Sequence, residues 1–107
     1  GERRAKELIL SARPFSAQEA YEWGMVNQLC DAGTVVEQAL AAAQRVADCA
    51  PLSVRQAKKS IHFGLQGDLH TGYRLELEAY YRLLDTEDRR EGIAAFNEKR
   101  KADFKGR

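Results

Sequence analysis

Apolar residues recur along most of this chain at helical spacing, and caps, prolines and glycines cut that pattern into about six helices. The first runs from Glu2 to Ser11. Leu8 and Ala12 lie on one stripe, with Ala5 and Ile9 beside it, and Pro14 stops it, because the residue before a proline is pushed out of the helical region. Ser16-Ala17-Gln18-Glu19 is a capping box opening a short second helix, Ala17 to Trp23. Phe15 is placed to staple onto Ala20, and Gly24 supplies a left-handed end. Thr34-Val35-Val36-Glu37 is a second capping box. The helix it opens runs to about Cys49, with Val36, Leu40, Ala43 and Ala47 as its expected buried stripe.

Pro51 suits the first turn of a fourth helix, Leu52 to about Phe63, with Val54, Ala57, Lys58 and Ile61 on one side and Gly64 and Gly67 at its end. Asp68 caps the fifth, Leu69 to Leu84. There Leu69, Tyr73, Leu77, Tyr80 and Leu84 recur with a clear amphipathic period. Met25 to Cys30 is the one strand candidate; its alternation is imperfect, so a short extended segment is expected. The expected fold is mainly α, a single domain over residues 1–107 with no repeats and no linker. Such a set need not be self-sufficient, and some faces are available to other polypeptide.

The last fifth of the chain is the most informative stretch. Thr86 caps a helix whose opening turns hold Glu87, Asp88 and Glu91 and whose closing turns hold Lys99, Arg100 and Lys101, the arrangement the helix dipole favours. Ile93 and Phe96 share a face. Gly92 costs a helix about 1 kcal/mol against alanine and so points to another backbone passing close by. Three readings of the basic end stand side by side. It is a solvated helix end, an anion-binding end with Phe96 beside it, or part of a nucleic-acid surface.

Composition narrows these choices. The chain has 107 residues with a net charge of +1, so nothing attracts it globally to nucleic acid or membrane. The basic excess is local: Lys99, Arg100, Lys101, Lys105 and Arg107 against Asp103 alone. No apolar run approaches the ~18 residues a membrane span needs. No targeting peptide is apparent, and a cytoplasmic setting is the default expectation. The two cysteines, Cys30 and Cys49, lack a CxxC spacing and are expected to be reduced and structural. His62 and His70 lack a third ligand in pattern, so no metal site is expected. Glu76 and Glu78 face different ways on a helix and form no acid/base pair. Gly64-Leu65-Gln66-Gly67 lacks the strand–turn–helix setting of a phosphate loop. Ser11, Ser16, Ser53 and Ser60 show no nucleophile elbow.

Several pieces, in order, resemble one family. Ala5-Lys6-Glu7-Leu8 through Arg13, Ser16-Ala17-Gln18-Glu19-Ala20 and Gly24-Met25-Val26-Asn27 are similar to the "A-x-E-L-x-x-x-G-x…A-x-E-A…G-L-V-N" run of the enoyl-CoA hydratase/isomerase (crotonase) family. Ala50-Pro51-Leu52-Ser53 with Ala57-Lys58 resembles its "A-P-L-A…A-K" run. Glu76 belongs with the set, and Asp88, Glu91-Gly92, Ala95-Phe96, Lys99-Arg100, Phe104 and Gly106 resemble its carboxy-terminal signature. Arg13 and Ala102 depart from the pattern. The resemblance covers essentially the whole chain.

What the resemblance implies is specific. Residues 1–107 would be the carboxy-terminal helical domain of the crotonase fold, without the spiral β/α core that supplies the oxyanion hole and the acidic residues. The parent chemistry would act on coenzyme A thioesters, with no tightly bound cofactor, and this chain would hold no catalytic residue. The helices would join subunits into trimers or hexamers and cover the acyl-CoA site. Phe96 and Lys99 would be candidate CoA contacts, to the adenine end and a phosphate, possibly of a neighbouring subunit. The alternatives are a stand-alone helical oligomerisation or binding module and a basic-tailed nucleic-acid module.

Overall fold

A computed structural model of the chain describes residues 1–107. It contains six helices and no strand: α1 (Glu2–Ser11), α2 (Ala17–Glu22), α3 (Val35–Ala47), α4 (Pro51–Gly64), α5 (Leu69–Tyr81) and α6 (Glu87–Glu98). Met25–Cys30, expected as an extended segment, is a run of bends and irregular backbone. A strand needs a partner for its N–H and C=O groups, and the chain offers none. Two compact units divide the chain, Gly1–Gln38 and Ala39–Arg107, with the boundary inside α3.

The first unit is held mostly by local bonds. The Ser16 capping box forms in full: Ser16 Oγ accepts from the Glu19 N–H at 3.1 Å, and Glu19 Oε2 accepts from the Ser16 N–H at 2.8 Å. These bonds, with the Ser16 amide first and Arg13 next, hold the Glu19 carboxyl below its ordinary pKa. α2 closes on Gly24, which is left-handed at φ 70°. Gly24 and Met25 return their N–H groups to Tyr21 and Ala20, each at 2.9 Å. Phe15 packs on Trp23, ring centroids 5.5 Å apart, and the guanidinium groups of Arg4 and Arg13 lie 4.8 and 5.5 Å from the same indole. Ala12, which ends α1, is also left-handed, a position glycine fills at less cost. The second capping box does not form as expected. The Thr34 hydroxyl donates to the Asp31 carbonyl at 2.9 Å and so tightens the Asp31–Thr34 turn.

The second unit is built around a helical hairpin, α4 packed on α5. Its tightest point is a pair of glycines. A Cβ on Gly72 would lie 3.1 Å from the Gly64 carbonyl oxygen, so the two backbones meet where even a methyl group would be crowded. Pro51 opens α4, and Asp68 caps α5, accepting from the Thr71 N–H at 3.0 Å. That bond keeps the Asp68 carboxyl below its usual range.

The expected buried stripes are largely uncovered. Val36 and Leu40 on α3 are exposed by 71% and 65%, and Leu69 on α5 by 90%. Ala79, not the large residues beside it, is the buried residue of α5, because the small side chains allow the closest approach to α4 while Leu69, Tyr73 and Tyr80 border an open groove. α3 ends at Ala47 and α5 at Tyr81, two and three residues short of the ends expected at Cys49 and Leu84. Five residues in the whole chain are buried, four of them alanines and the fifth Asp88.

Candidate functional site

The site begins with the way α6 stops. The charge pattern predicts a helix continuing through Lys101. Instead it ends at Glu98, and Lys99 turns left-handed with φ 54° and ψ 37°. Lys99 N–H donates to Phe96 O at 3.3 Å, and Arg100 N–H reaches back to Ala95 O at 3.0 Å. This is the six-to-one and five-to-two bonding that usually closes on glycine. A lysine in that conformation costs about 1 kcal/mol relative to glycine, so something beyond the cap must hold it.

What holds it is the tail. Residues 100–107 turn back along α6. The Arg100 guanidinium spans both oxygens of Glu91, at 2.5 and 2.9 Å, and also reaches Glu98. Asp103 N–H donates to Glu91 at 2.8 Å. Asp88, 3% exposed, accepts the Lys105 N–H on one oxygen at 2.6 Å and the Gly106 N–H on the other at 2.8 Å. Asp88's own N–H donates to Arg107 O at 3.1 Å. The Phe104 ring lies over Gly92, 3.6 Å from where a Cβ would stand. The glycine is therefore explained by an aromatic ring, where a passing backbone was expected. Gly106, left-handed at φ 77°, sits against Pro51 at the start of α4.

These contacts revise the roles expected of the acidic residues. Asp88 and Glu91 do stand in the opening turns, but their side chains are occupied by the tail. Ile93 and Phe96, which share a face, are 50% and 85% exposed; the buried surface of α6 is Ala95 and Asp88. The basic end is also mostly spent. Arg100 pairs with Glu91 and Glu98, Lys101 with Asp48, Lys105 with Asp103 and Arg107 with Glu87. Lys99 alone among the five tail cations makes no ion pair, and it stands exposed at the cap, three residues after the exposed Phe96 ring. It leaves the helix there, so a turn, and not a continuous helical face, relates the two residues.

Glu91 supplies a measurable signature. The Arg100 hydrogen bond first, and the Asp103 amide second, lower its pKa from 4.5 to about 2, while Arg100 is pushed up and stays charged. A carboxylate depressed in the folded state stabilises it fully above its unfolded pKa and loses that contribution as pH falls through the folded value. The Glu91 contacts are therefore expected to persist through pH 4.5 and to release towards about pH 2. An NMR titration of the Asp103 amide checks this, and a midpoint near the ordinary carboxylate value would contradict the geometry.

The remaining sequence candidates are not brought together. No group of three or more His, Cys, Asp or Glu side chains is arranged to hold a metal. Cys30 and Cys49 are free thiols. His62 lies edge-on to Phe63 and beside Gln66, and Glu78 is paired with Arg82 at 2.7 Å. No helix is long and apolar enough to cross a membrane. The Gly64–Gly72 approach and the Asp88 clamp were missed from sequence. Gly72 inside an otherwise regular helical period, eight residues after Gly64, was the available signal for the first.

The helices match crotonase-fold structures. A crystal structure of enoyl-CoA hydratase from Bacillus anthracis superimposes with a TM-score of 0.93 at 45% identity, covering 97% of this chain and 40% of that one. The family model for enoyl-CoA hydratase/isomerase matches residues 1–107, and the chain belongs to that family. Among curated relatives, YngF of Bacillus subtilis is 42% identical over 106 residues, which are 99% of this chain and 41% of that protein. The mitochondrial enoyl-CoA hydratase of Pongo abelii is 37% identical over 105 residues, 98% of this chain and 36% of its own. The chain thus spans about two fifths of the length of the relatives it matches.

Proposed function

We propose that these residues form the helical, CoA-covering and subunit-joining part of a CoA-thioester hydratase or isomerase whose reactive groups lie on other polypeptide. The observation that carries the reading is the division of labour at the α6 end. Four tail cations are paired with carboxylates of the chain, and Lys99 is left open beside an uncovered ring. An ammonium and an aromatic face are the two groups that hold a phosphate and an adenine. Family membership makes an acyl-CoA the anion to expect. The exposed apolar residues of α3 and α5 are the surfaces that other polypeptide, or further subunits in a trimer or hexamer, would cover.

On this reading turnover belongs to groups outside the chain. The nucleic-acid reading has less support, because four of the five tail cations are paired with carboxylates of the chain. Crotonyl-CoA hydration and light scattering, run on the 107-residue chain and on the full gene product that contains it, test the proposal. The expected result is a trimer or hexamer that turns over crotonyl-CoA for the full product, and no turnover for the 107 residues alone. Turnover by the short chain alone overturns the reading. A single defined oligomer of the short chain, with a full product that never binds CoA thioesters, would favour a stand-alone module.

A further inference from the structure

We propose that Asp88 is a positioning residue for Lys99: by holding the tail it fixes the turn that points the one unpaired tail cation at its anionic ligand. The inference rests on the reading of Lys99 as a CoA contact.

The charges near the end of α6 suit a helix that runs on and one that turns alike, but a lysine prefers the right-handed conformation. The observed left-handed Lys99 is therefore a choice imposed from outside the residue. Before it, the turn is closed by bonds to Ala95 and Phe96. After it, the chain is anchored at three successive places: Arg100 on Glu91, Asp103 on Glu91, and Lys105 with Gly106 on Asp88. Continuing the helix through residues 99–101 would carry the chain along the α6 axis and away from all three anchors.

Asp88 is the decisive anchor among them. Its carboxylate is the one buried charged group in the chain, and each oxygen takes one tail amide. Glu91 is partly exposed, with 24% of its side chain open to solvent, and its contacts begin beside the turn. Asp88 fastens the far end, where release would let the whole strap lift. The same strap ties up Arg100 and Arg107, so its docking also decides that Lys99 is the cation left free.

The test uses the full gene product, with binding of coenzyme A and of pantetheine measured by calorimetry. Pantetheine lacks the phosphates and the adenosine. Asp88→Asn keeps the side-chain shape but presents one oxygen where two are needed. It is expected to weaken coenzyme A about fivefold, to leave pantetheine unchanged, and to move the Lys99 Cα chemical shift towards the helical value. Glu91→Gln serves as the second variant should Asp88→Asn fail to fold, with the same expected selectivity. Equal losses for both ligands would make Asp88 a general stabiliser and overturn the proposal. So would unchanged coenzyme A affinity accompanied by faster exchange of the Lys105 and Gly106 amides. Lys99→Ala is run alongside. If it leaves coenzyme A affinity intact, the CoA-contact reading itself has failed. If it weakens binding while Asp88→Asn does not, only the positioning role has.

Discussion

If Lys99 holds a CoA phosphate as proposed, replacing it with alanine in the full gene product is expected to raise the Michaelis constant for a CoA thioester about tenfold while turnover falls less than twofold. The size follows from the bond lost. A hydrogen bond between charged partners contributes about 1.5–3 kcal/mol when shielded, and this ammonium is exposed and screened, so the lower end applies. Tenfold corresponds to about 1.4 kcal/mol. The direction follows from where the contact falls. A phosphate remote from the reacting thioester is bound equally in the ground and transition states, and such binding moves the Michaelis constant alone. Lys99→Gly sharpens the case, because the left-handed turn suits glycine better. It should weaken CoA as much as alanine does while making the protein more stable by up to about 1 kcal/mol. Steady-state kinetics with thermal melts read both signs. An unchanged Michaelis constant with slower turnover would show that Lys99 acts on chemistry and not on binding.

The second large effect is expected at the α4–α5 crossing. Gly72→Val places a branched side chain where a single Cβ already stands 3.1 Å from the Gly64 carbonyl oxygen. Backbone cannot swing aside as a side chain can, so the two helices must part. Overpacking typically costs about 1–3 kcal/mol, and valine adds atoms beyond the first offending one, which puts this case near 3 kcal/mol. For a domain of this size that is a fall of roughly 12–20 °C in melting temperature. Gly64→Ala is the matched control. Its added Cβ would meet Gly72 Cα at 3.4 Å, an ordinary contact, and alanine is the better helix former. It should be neutral or slightly stabilising. Comparable losses from both changes would mean that glycine flexibility, not close approach, is what the crossing needs.

Local signals carried far in this sequence, and tertiary ones did not. The helices were legible because their starts and stops are chemical. Ser16 with Glu19, Asp68, Thr86, Pro51 and Gly24 each act within a few residues of themselves. The family likeness was legible for the same reason, since its pieces are short and ordered. The buried surface was misread at Val36, Leu40 and Leu69 because amphipathic spacing says which face is apolar and not whether anything covers it. The end of α6 was misread because charge order near a helix terminus satisfies the dipole equally well whether the helix runs on or turns. What decided it was Asp88 and Glu91 meeting amides 12 to 18 positions later, a pairing no local window contains.

The hairpin has a kinetic consequence. Gly64 and Gly72 meet across only a short connection, and the Arg100–Glu91 pair closes a loop of similar length. Closing loops of this length takes on the order of 10–100 ns, and helices nucleate within about a microsecond. Low contact order of this kind goes with fast folding. The α4–α5 hairpin can therefore form early, before the strap closes on Asp48 and Pro51 from more than fifty positions along the chain.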